Sequence, residues 1–99
     1  MAQNPPNTAL DPVLHQPIRT RIAAYLVARG EATFTELKQA LDATDGNLEA
    51  HMKKLTANGY IKTIKKTSAS RPQTLYKMTQ KGNIAFTKYI HALQSLLPL

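Results

Sequence analysis

The residues with the clearest potential for chemistry lie in one stretch, Thr44 to Gly59, with the sequence TDGNLEAHMKKLTANG. At about 100° per residue, Leu48, Met52 and Leu55 fall on one apolar stripe of a helix. The opposite side carries small residues flanked by amide and ammonium groups, namely Gly46, Asn47, Ala50, Lys53, Lys54 and Ala57. A helix on the floor of a DNA major groove needs such a face, with little bulk and with donors reaching outward. The alternative is an amphipathic helix whose lysines only face water.

The two ends of this predicted helix carry recognisable capping residues. The Thr44 hydroxyl is suited to the N-cap, and Asp45 places a negative charge at the positive end of the helix dipole. Gly59 can adopt the left-handed conformation that ends a helix. Gly46 lowers helix propensity by about 1 kcal/mol relative to alanine. Close approach of a partner explains that choice, and so does simple tolerance of glycine near a helix end.

The distribution of charge separates the two halves of the chain. The net charge is +7 and the isoelectric point is near 9.9. The six acidic residues all lie at or before Glu49, whereas residues 50–99 contain nine Lys or Arg and no acid. This asymmetry favours a polyanionic partner such as nucleic acid. Charge that serves only solubility is the weaker explanation.

Composition also limits the classes of protein to consider. The length of 99 residues corresponds to one domain with a small core, and such domains often gain further burial by dimerising. The absence of cysteine excludes disulfides, thiol chemistry and thiolate metal sites. The longest apolar run, residues 22–28, is far shorter than the ~20 residues of a membrane span. We therefore expect a cytoplasmic protein without membrane association.

No pattern typical of catalysis or metal binding is present. His15, His51 and His91 are widely spaced, and no carboxylate pair stands at ligand spacing near any of them. His51 lies at the edge of the apolar stripe, where a partly buried packing role is expected. The sequence thus predicts neither an enzyme nor a cofactor.

The residues before position 35 predict a tail and one or two helical segments. Residues 1–9, which contain two adjacent prolines, predict a flexible N-terminal tail. Asp11 before a proline predicts an N-cap and a short apolar turn. Pro17 opens a helix that ends at Arg29. Its core stripe consists of Ile18, Ile22, Tyr25 and Leu26.

The next segment predicts the partner of the lysine-bearing helix. Residues 32–34 favour one small strand, and Thr35 is the predicted N-cap of a short helix with Glu36 in its first turn. Residues 42–44 leave only a tight turn before the following helix. Two short helices joined in this way predict a helix-turn-helix unit at about residues 35–58, whose second helix reads DNA.

Residues 60–78 predict a β-hairpin with a long polar tip. The flanking segments, YIKTIKK and TLYKM, are rich in Thr, Ile and Tyr. The basic and hydroxyl side chains of this hairpin are candidates for contacts with phosphates. The candidate residues are Lys65, Lys66, Thr67, Ser68, Ser70 and Arg71. A charged face that meets only solvent is the alternative.

The last segment predicts a long helix from Gln80 to about Leu97, with Thr79 as its cap. No charged residue follows Lys88. The apolar stripe is wider than a helix needs for packing on its own core, and its members are Phe86, Tyr89, Ile90, Leu93, Leu96 and Leu97. We expect these residues to form a dimer interface together with the N-terminal helix, although a wholly intramolecular role is the alternative.

The assembled order is helix, small strand, helix, tight turn, helix, hairpin and helix, which is mainly α with a small β-hairpin. From Leu10 to Leu97 the chain resembles small winged helix-turn-helix regulators of the MarR/ArsR group. The most specific segments are Asp45–Ile61, DGNLEAHMKKLTANGYI, and Leu75–Gly82, LYKMTQKG. By this resemblance the recognition helix would face the major groove, and Arg71 would reach the minor groove. The chain departs from its relatives at Glu49, where many of them carry serine.

The resemblance and the residues together lead to one functional expectation. We expect a homodimeric, sequence-specific regulator of transcription that binds double-stranded DNA and acts as a repressor. The alternative is a winged helix that serves as a protein-interaction module. A small-molecule effector is not predictable from these residues. The predicted DNA contacts of the recognition helix are Thr44, Gly46, Asn47, Ala50, Lys53 and Lys54.

Overall fold

The fold consists of helices packed around the base of one β-hairpin. A computed structural model describes residues 9–67 and 71–97. The helices are α1 (Pro17–Arg29), α2 (Phe34–Leu41), α3 (Asp45–Ala57) and α4 (Gln80–Ser95), and the strands are β1 (Ile61–Thr67) and β2 (Pro72–Met78). The predicted mainly α fold with a small hairpin is confirmed. Most of the predicted tail, residues 1–8, lies outside the described residues.

The start of α2 corrects the sequence prediction. The N-cap is Thr33 and not Thr35, because Thr33 and Glu36 form a reciprocal capping box. The Glu36 N–H donates to Thr33 Oγ1 at 3.1 Å, and the Thr33 N–H donates to Glu36 Oε1 at 2.9 Å. With helix beginning at Phe34, no strand forms at residues 32–34. Ala32 instead makes an isolated antiparallel bridge to Tyr76 of β2.

Asp11 begins a turn rather than a helix. Its Oδ1 atom accepts hydrogen bonds from the N–H groups of Val13 at 2.8 Å and Leu14 at 3.3 Å. Helix α1 starts only at Pro17, where the Gln16 side chain is the N-cap. We call residues 11–16 the N-terminal turn. Its Leu14 side chain is fully buried, so the turn belongs to the core.

The core contains residues from every helix and from the hairpin base. Fully buried aliphatic side chains each stabilise the fold by about 1.5–3 kcal/mol relative to an exposed position. The largest of them are Leu14, Ile22, Leu26, Leu37, Leu48, Leu55 and Ile61. The three from α2 and α3 turn one side of each helix towards the core, and this burial determines which side of α3 remains outside.

The turn between α2 and α3 is as short as predicted. Asp42 adopts a left-handed conformation, with φ of 52°, which aspartate tolerates better than most residues. The N–H of Ala43 donates to the Lys38 carbonyl at 3.1 Å and closes the end of α2. At the other end of α3, Gly59 has φ of 74°, the left-handed geometry expected of a glycine that follows a helix.

The hairpin register assigns each side chain of the wing to a face. Strands β1 and β2 are antiparallel, with Ile61 opposite Met78 and Thr67 opposite Pro72. Because successive side chains alternate, Lys65 shares a face with Thr63, and Lys66 lies on the other face. Adjacent lysines of the wing therefore meet different surroundings.

Helix α4 is seated against the hairpin base through a glycine. A Cβ atom added to Gly82 would lie 2.1 Å from the backbone oxygen of Tyr60, so only glycine fits without movement of the backbone. The Tyr60 hydroxyl in turn donates to Asp11 Oδ2 at 2.5 Å. Burial and this hydrogen bond to the carboxylate raise the pKa of Tyr60 to about 12. Within residues 9–67 and 71–97, no helix is long and apolar enough to cross a membrane.

Candidate nucleic-acid interface

Helix α3 separates its residues into a buried and an exposed side as the sequence predicts. Leu48, Met52 and Leu55 are buried in the core. The opposite side is solvent-exposed at every predicted position, and we call it the α3 outer face: Gly46, Asn47, Ala50, Lys53, Lys54 and Ala57. No atom lies within 4 Å of a Cβ added to Gly46. Packing therefore does not require glycine there, which leaves the outer face unusually flat at its N-terminal end.

The N-terminal end of α3 is fixed by local contacts. The Thr44 hydroxyl accepts a hydrogen bond from the Asn47 N–H at 3.2 Å. Asp45 forms an ion pair of 2.7 Å with Lys38 of α2, and both side chains are largely exposed. Exposed pairs of this kind contribute little stability, typically 0.2–1 kcal/mol. The Lys38 charge compensates that of Asp45, which reduces the repulsion between this end of α3 and a polyanion.

A groove of about 620 Å³ runs between α3 and the hairpin. Its α3 side includes Glu49 and Lys53, and its sheet side includes the cross-strand pair Thr63 and Tyr76. Glu49 therefore borders the groove rather than the middle of the α3 outer face. This position separates its carboxylate from Asn47 at the other edge of the helix.

The wing carries exposed cations, but they are not equivalent. Lys65, Lys66, Thr67 and Arg71 are exposed, whereas the predicted contacts Ser68 and Ser70 lie outside the described residues. Lys66 Nζ forms an ion pair of 2.7 Å with Glu31 Oε2, which the sequence analysis did not anticipate. The two residues are 35 positions apart, and the Ala32–Tyr76 bridge brings the segment of Glu31 to the hairpin.

His51 is held by a residue of α1. Arg19 Nη1 lies 3.0 Å from His51 Nδ1, and Arg19 Nε donates to the Val13 carbonyl at 2.5 Å. Burial lowers the pKa of His51 below its ordinary value of 6.5, and the positive charge of Arg19 lowers it further. The sequence predicted a packing role for His51 and gave no signal for Arg19.

The predicted dimer residues of α4 fall into three groups. Tyr89 is only 4% exposed and its hydroxyl lies 2.9 Å from His15 Nδ1, so it belongs to the core of its own protomer. This burial leaves little of the Tyr89 side chain for the predicted dimer interface. Phe86, Ile90 and Leu93 pack against the core and are partly buried. Leu96 and Leu97 are exposed, at 58% and 54%.

Two further apolar residues are exposed that the sequence analysis did not single out. Ile84 of α4 is 50% exposed and Val27 of α1 is 47% exposed. Both lie on the helices that were predicted to form the dimer interface. Ile84 interrupts the polar side of α4, and this break in the periodicity was the available signal.

Comparison with known proteins identifies this arrangement. A family model described as a winged helix DNA-binding domain matches residues 18–97. The chain belongs to this winged-helix family. The matched segment extends from α1 to the residues after α4, so the family resemblance covers the whole helix-turn-helix unit and its wing.

Relatives of the winged-helix chain include an uncharacterized protein of Methanocaldococcus jannaschii. It is 38% identical over 84 residues, which is 85% of this chain and 91% of the relative. A solved structure of a transcriptional regulator homologue from Pyrococcus horikoshii is 33% identical, with a TM-score of 0.77 over 85% of this chain and 83% of that one. The family match and this solved structure confirm the predicted resemblance to winged-helix regulators.

One solved winged-helix structure includes nucleic acid. The PadR protein of Bacillus subtilis, in complex with operator DNA, has a TM-score of 0.63 and 16% identity, and the match covers 78% of this chain and 48% of PadR. At this identity the likeness concerns the fold alone.

Proposed function

We propose that this winged-helix regulator binds double-stranded DNA sequence-specifically as a homodimer and represses transcription by occluding a promoter. The single observation that carries the proposal is the α3 outer face, which is exposed, small at its centre and basic at its edge. A face for docking another protein would instead expose aromatic or aliphatic residues. On α3 those residues are buried in the core.

Different groups of the α3 outer face would perform different tasks. Lys53 and Lys54 are flexible point charges that suit phosphate oxygens and carry no base information. Asn47 presents a paired donor and acceptor that match an adenine edge in the major groove. Ala50 and Gly46 keep the backbone close enough for Asn47 to reach it. Specificity would therefore depend on Asn47 and affinity on the lysines.

The wing would contribute contacts beside the recognition helix. Lys65 shares a face with Thr63, which lines the groove next to α3, and so stands towards a DNA backbone that crosses this groove. Arg71 at the wing suits a narrow minor groove, where the negative potential is enhanced. Lys66 can join only by leaving Glu31, at a cost of about 0.2–1 kcal/mol.

The homodimer would form through α4 and the neighbouring N-terminal helix. Leu96 and Leu97 are exposed directly after α4, and the described part of the chain has no charged residue after Lys88. Burying two such side chains in a partner surface favours association by several kcal/mol. A two-fold dimer would place two α3 helices about 34 Å apart on a pseudo-palindromic site. Occlusion by such a dimer is the simplest route to repression.

The proposal is tested by selecting bound sequences from random duplexes and then measuring affinity across a salt series. We expect Asn47→Ala to reduce the preference for the selected site without a change of salt slope. Lys53→Gln should weaken binding to selected and scrambled duplexes alike and lower the slope by about 0.9. Lys88→Gln, which removes the same charge from α4, is the matched control. If wild-type protein binds neither duplex at low salt, the proposed function is wrong.

A further inference from the structure

The contact between Arg19 and His51 connects α1 to the recognition helix through a hydrogen bond whose donor and acceptor can be assigned. The Arg19 N–H is itself part of the α1 cap, because it donates to Gln16 Oε1 at 2.9 Å. The side chain then donates through Nε to the Val13 carbonyl and approaches His51 Nδ1 through Nη1. Two contacts of a planar guanidinium leave it little freedom to rotate.

This geometry assigns the tautomer of His51. A guanidinium has donors only and does not lose its charge in proteins, so His51 Nδ1 must be the acceptor of the 3.0 Å contact. The ring is therefore neutral, and its proton is on Nε2. The lowered pKa of His51 agrees with this neutral form, since both burial and the Arg19 charge disfavour a second proton.

The Nε2 atom of His51 has no hydrogen-bond partner within the described part of the chain. Within residues 9–67 and 71–97, no side-chain nitrogen that lacks a partner is buried. Nε2 therefore meets solvent. Asn47, His51 and Lys54 follow one another at i, i+4 and i+7, so the His51 ring neighbours two residues of the α3 outer face and borders that face.

We propose that His51 is a further DNA-contacting residue and that Arg19 is its positioning residue. His51 would donate its Nε2–H to a phosphate oxygen at the edge of the major groove. The ring is short and half-buried, which favours the backbone at the groove edge over bases on the groove floor. The inference rests on the proposed function and specifies one contact within it.

The rival interpretation is a purely structural connection between α1 and α3. Two amide substitutions distinguish these roles, because glutamine places its amide group near the position of Nε2 and asparagine near that of Nδ1. Gln at position 51 retains the outward donor, whereas Asn retains only a partner for Arg19. If His51 contacts DNA, the Gln variant should therefore retain DNA binding. If His51 only connects α1 to α3, the Asn variant should retain it.

The experiment measures affinity for the selected duplex and thermal unfolding for each variant. We expect His51→Gln to bind within a few-fold of wild type and His51→Asn to bind roughly tenfold more weakly, as for loss of a hydrogen bond to a charged group. The salt slope of His51→Asn should equal that of wild type, because a neutral donor neutralises no phosphate charge. Arg19→Met should weaken binding in wild type and much less in the His51→Asn background.

A measurement on the unmodified protein covers the case in which the variants fold poorly. Nitrogen NMR of the histidine rings should show the His51 proton on Nε2 in the free protein and a shift of this signal when duplex DNA is added. His91, on the exposed side of α4, is the internal control.

Several outcomes would overturn the proposal. If His51→Asn binds as tightly as wild type, or if the His51 signal reports a proton on Nδ1 or does not respond to bound DNA, the contact is structural. Failure of wild-type protein to bind any duplex is a different result and refutes the proposed function itself.

Discussion

Helices α3 and α4 have the same kind of N-terminal cap but expose different kinds of residue. Both begin with a threonine whose hydroxyl caps the first turn. Helix α3 buries three large apolar residues and exposes small and charged ones. Helix α4 buries Gly82 and Ala92 along with Tyr89. It exposes Ile84, and Leu96 and Leu97 are exposed directly after its end.

The difference shows that burial in the core determines what remains for a partner. A helix whose large apolar residues are buried in the core exposes small and polar residues, which are compatible with water or with phosphates. A helix that is seated through small residues retains apolar area, and each buried leucine in a complex is worth about 1.5–3 kcal/mol. This contrast supports the proposal that the α3 surface binds DNA and the α4 surface a second copy of the chain, and each part can be tested separately.

The largest expected effect comes from Leu96→Asp, which places a charge in the proposed α4 interface. The variant should be monomeric by analytical ultracentrifugation at micromolar concentration. Loss of the second half-site contact should weaken binding to a palindromic duplex by about 100- to 10,000-fold. Gln94→Asp adds the same charge at an exposed polar position of α4 and should change neither property. A monomeric wild-type protein would contradict the proposed dimer interface at α4.

The next effect compares the two helical glycines. Gly82→Ala should destabilise the fold by about 1–3 kcal/mol or more, because the new methyl group collides with the Tyr60 carbonyl. Gly46→Ala meets no atom within 4 Å and should stabilise the fold by up to about 1 kcal/mol. Thermal unfolding measures both changes. Weaker DNA binding by the more stable Gly46→Ala variant would show that the flat end of the α3 outer face is used; unchanged binding would show mere tolerance of glycine.

A smaller effect concerns the wing, where Lys66 is paired and Lys65 is not part of an ion pair within the described residues. Glu31→Gln removes a negative charge and releases Lys66, and we expect DNA affinity to rise up to about fivefold at low salt. Fluorescence anisotropy with a labelled duplex measures this change. The gain should vanish in the Glu31→Gln, Lys66→Gln double variant, and a gain that persists there would exclude a role for Lys66.

The smallest effect is on the pH dependence of folding. Because His51 has a lowered pKa in the folded protein, the unfolded chain binds this proton more readily. The stabilising difference is complete above the ordinary value of 6.5 and is lost as the pH falls below it. Denaturant unfolding from pH 7.5 to 5 should show a shallower decline for His51→Gln than for wild type. Coincident curves would contradict the lowered pKa.

Features coded by neighbouring residues were predictable from the sequence. The caps at Thr44 and Thr79, the short turn before α3 and the stripe of Leu48, Met52 and Leu55 all depend on spacings of a few positions. The hairpin followed from its composition of β-branched residues and tyrosine. The predicted start of α2 was wrong although its signal was local, because the prediction placed the N-cap at Thr35 and not at Thr33, which forms the capping box with Glu36.

Features that depend on distant residues were not predictable. Nothing near Lys66 indicates Glu31, and nothing near His51 indicates Arg19, since these pairs are joined only when the whole chain has folded. Tyr89 illustrates the same limit on α4. Its place in the apolar stripe is evident, but whether the stripe faces its own core or a partner depends on the N-terminal turn that covers it.

The N-terminal turn has a consequence for the order of folding. Two of its residues contact distant positions, since Asp11 bonds Tyr60 and His15 bonds Tyr89. Its Val13 carbonyl also accepts a hydrogen bond from Arg19 of α1, which contacts His51. Because Tyr89 follows His15 by 74 positions, the contacts of this turn form only when the later helices are in place. Such long sequence separations slow folding relative to local helix contacts. Amide protons of the turn should accordingly exchange only when the whole domain unfolds, as those of a central strand would.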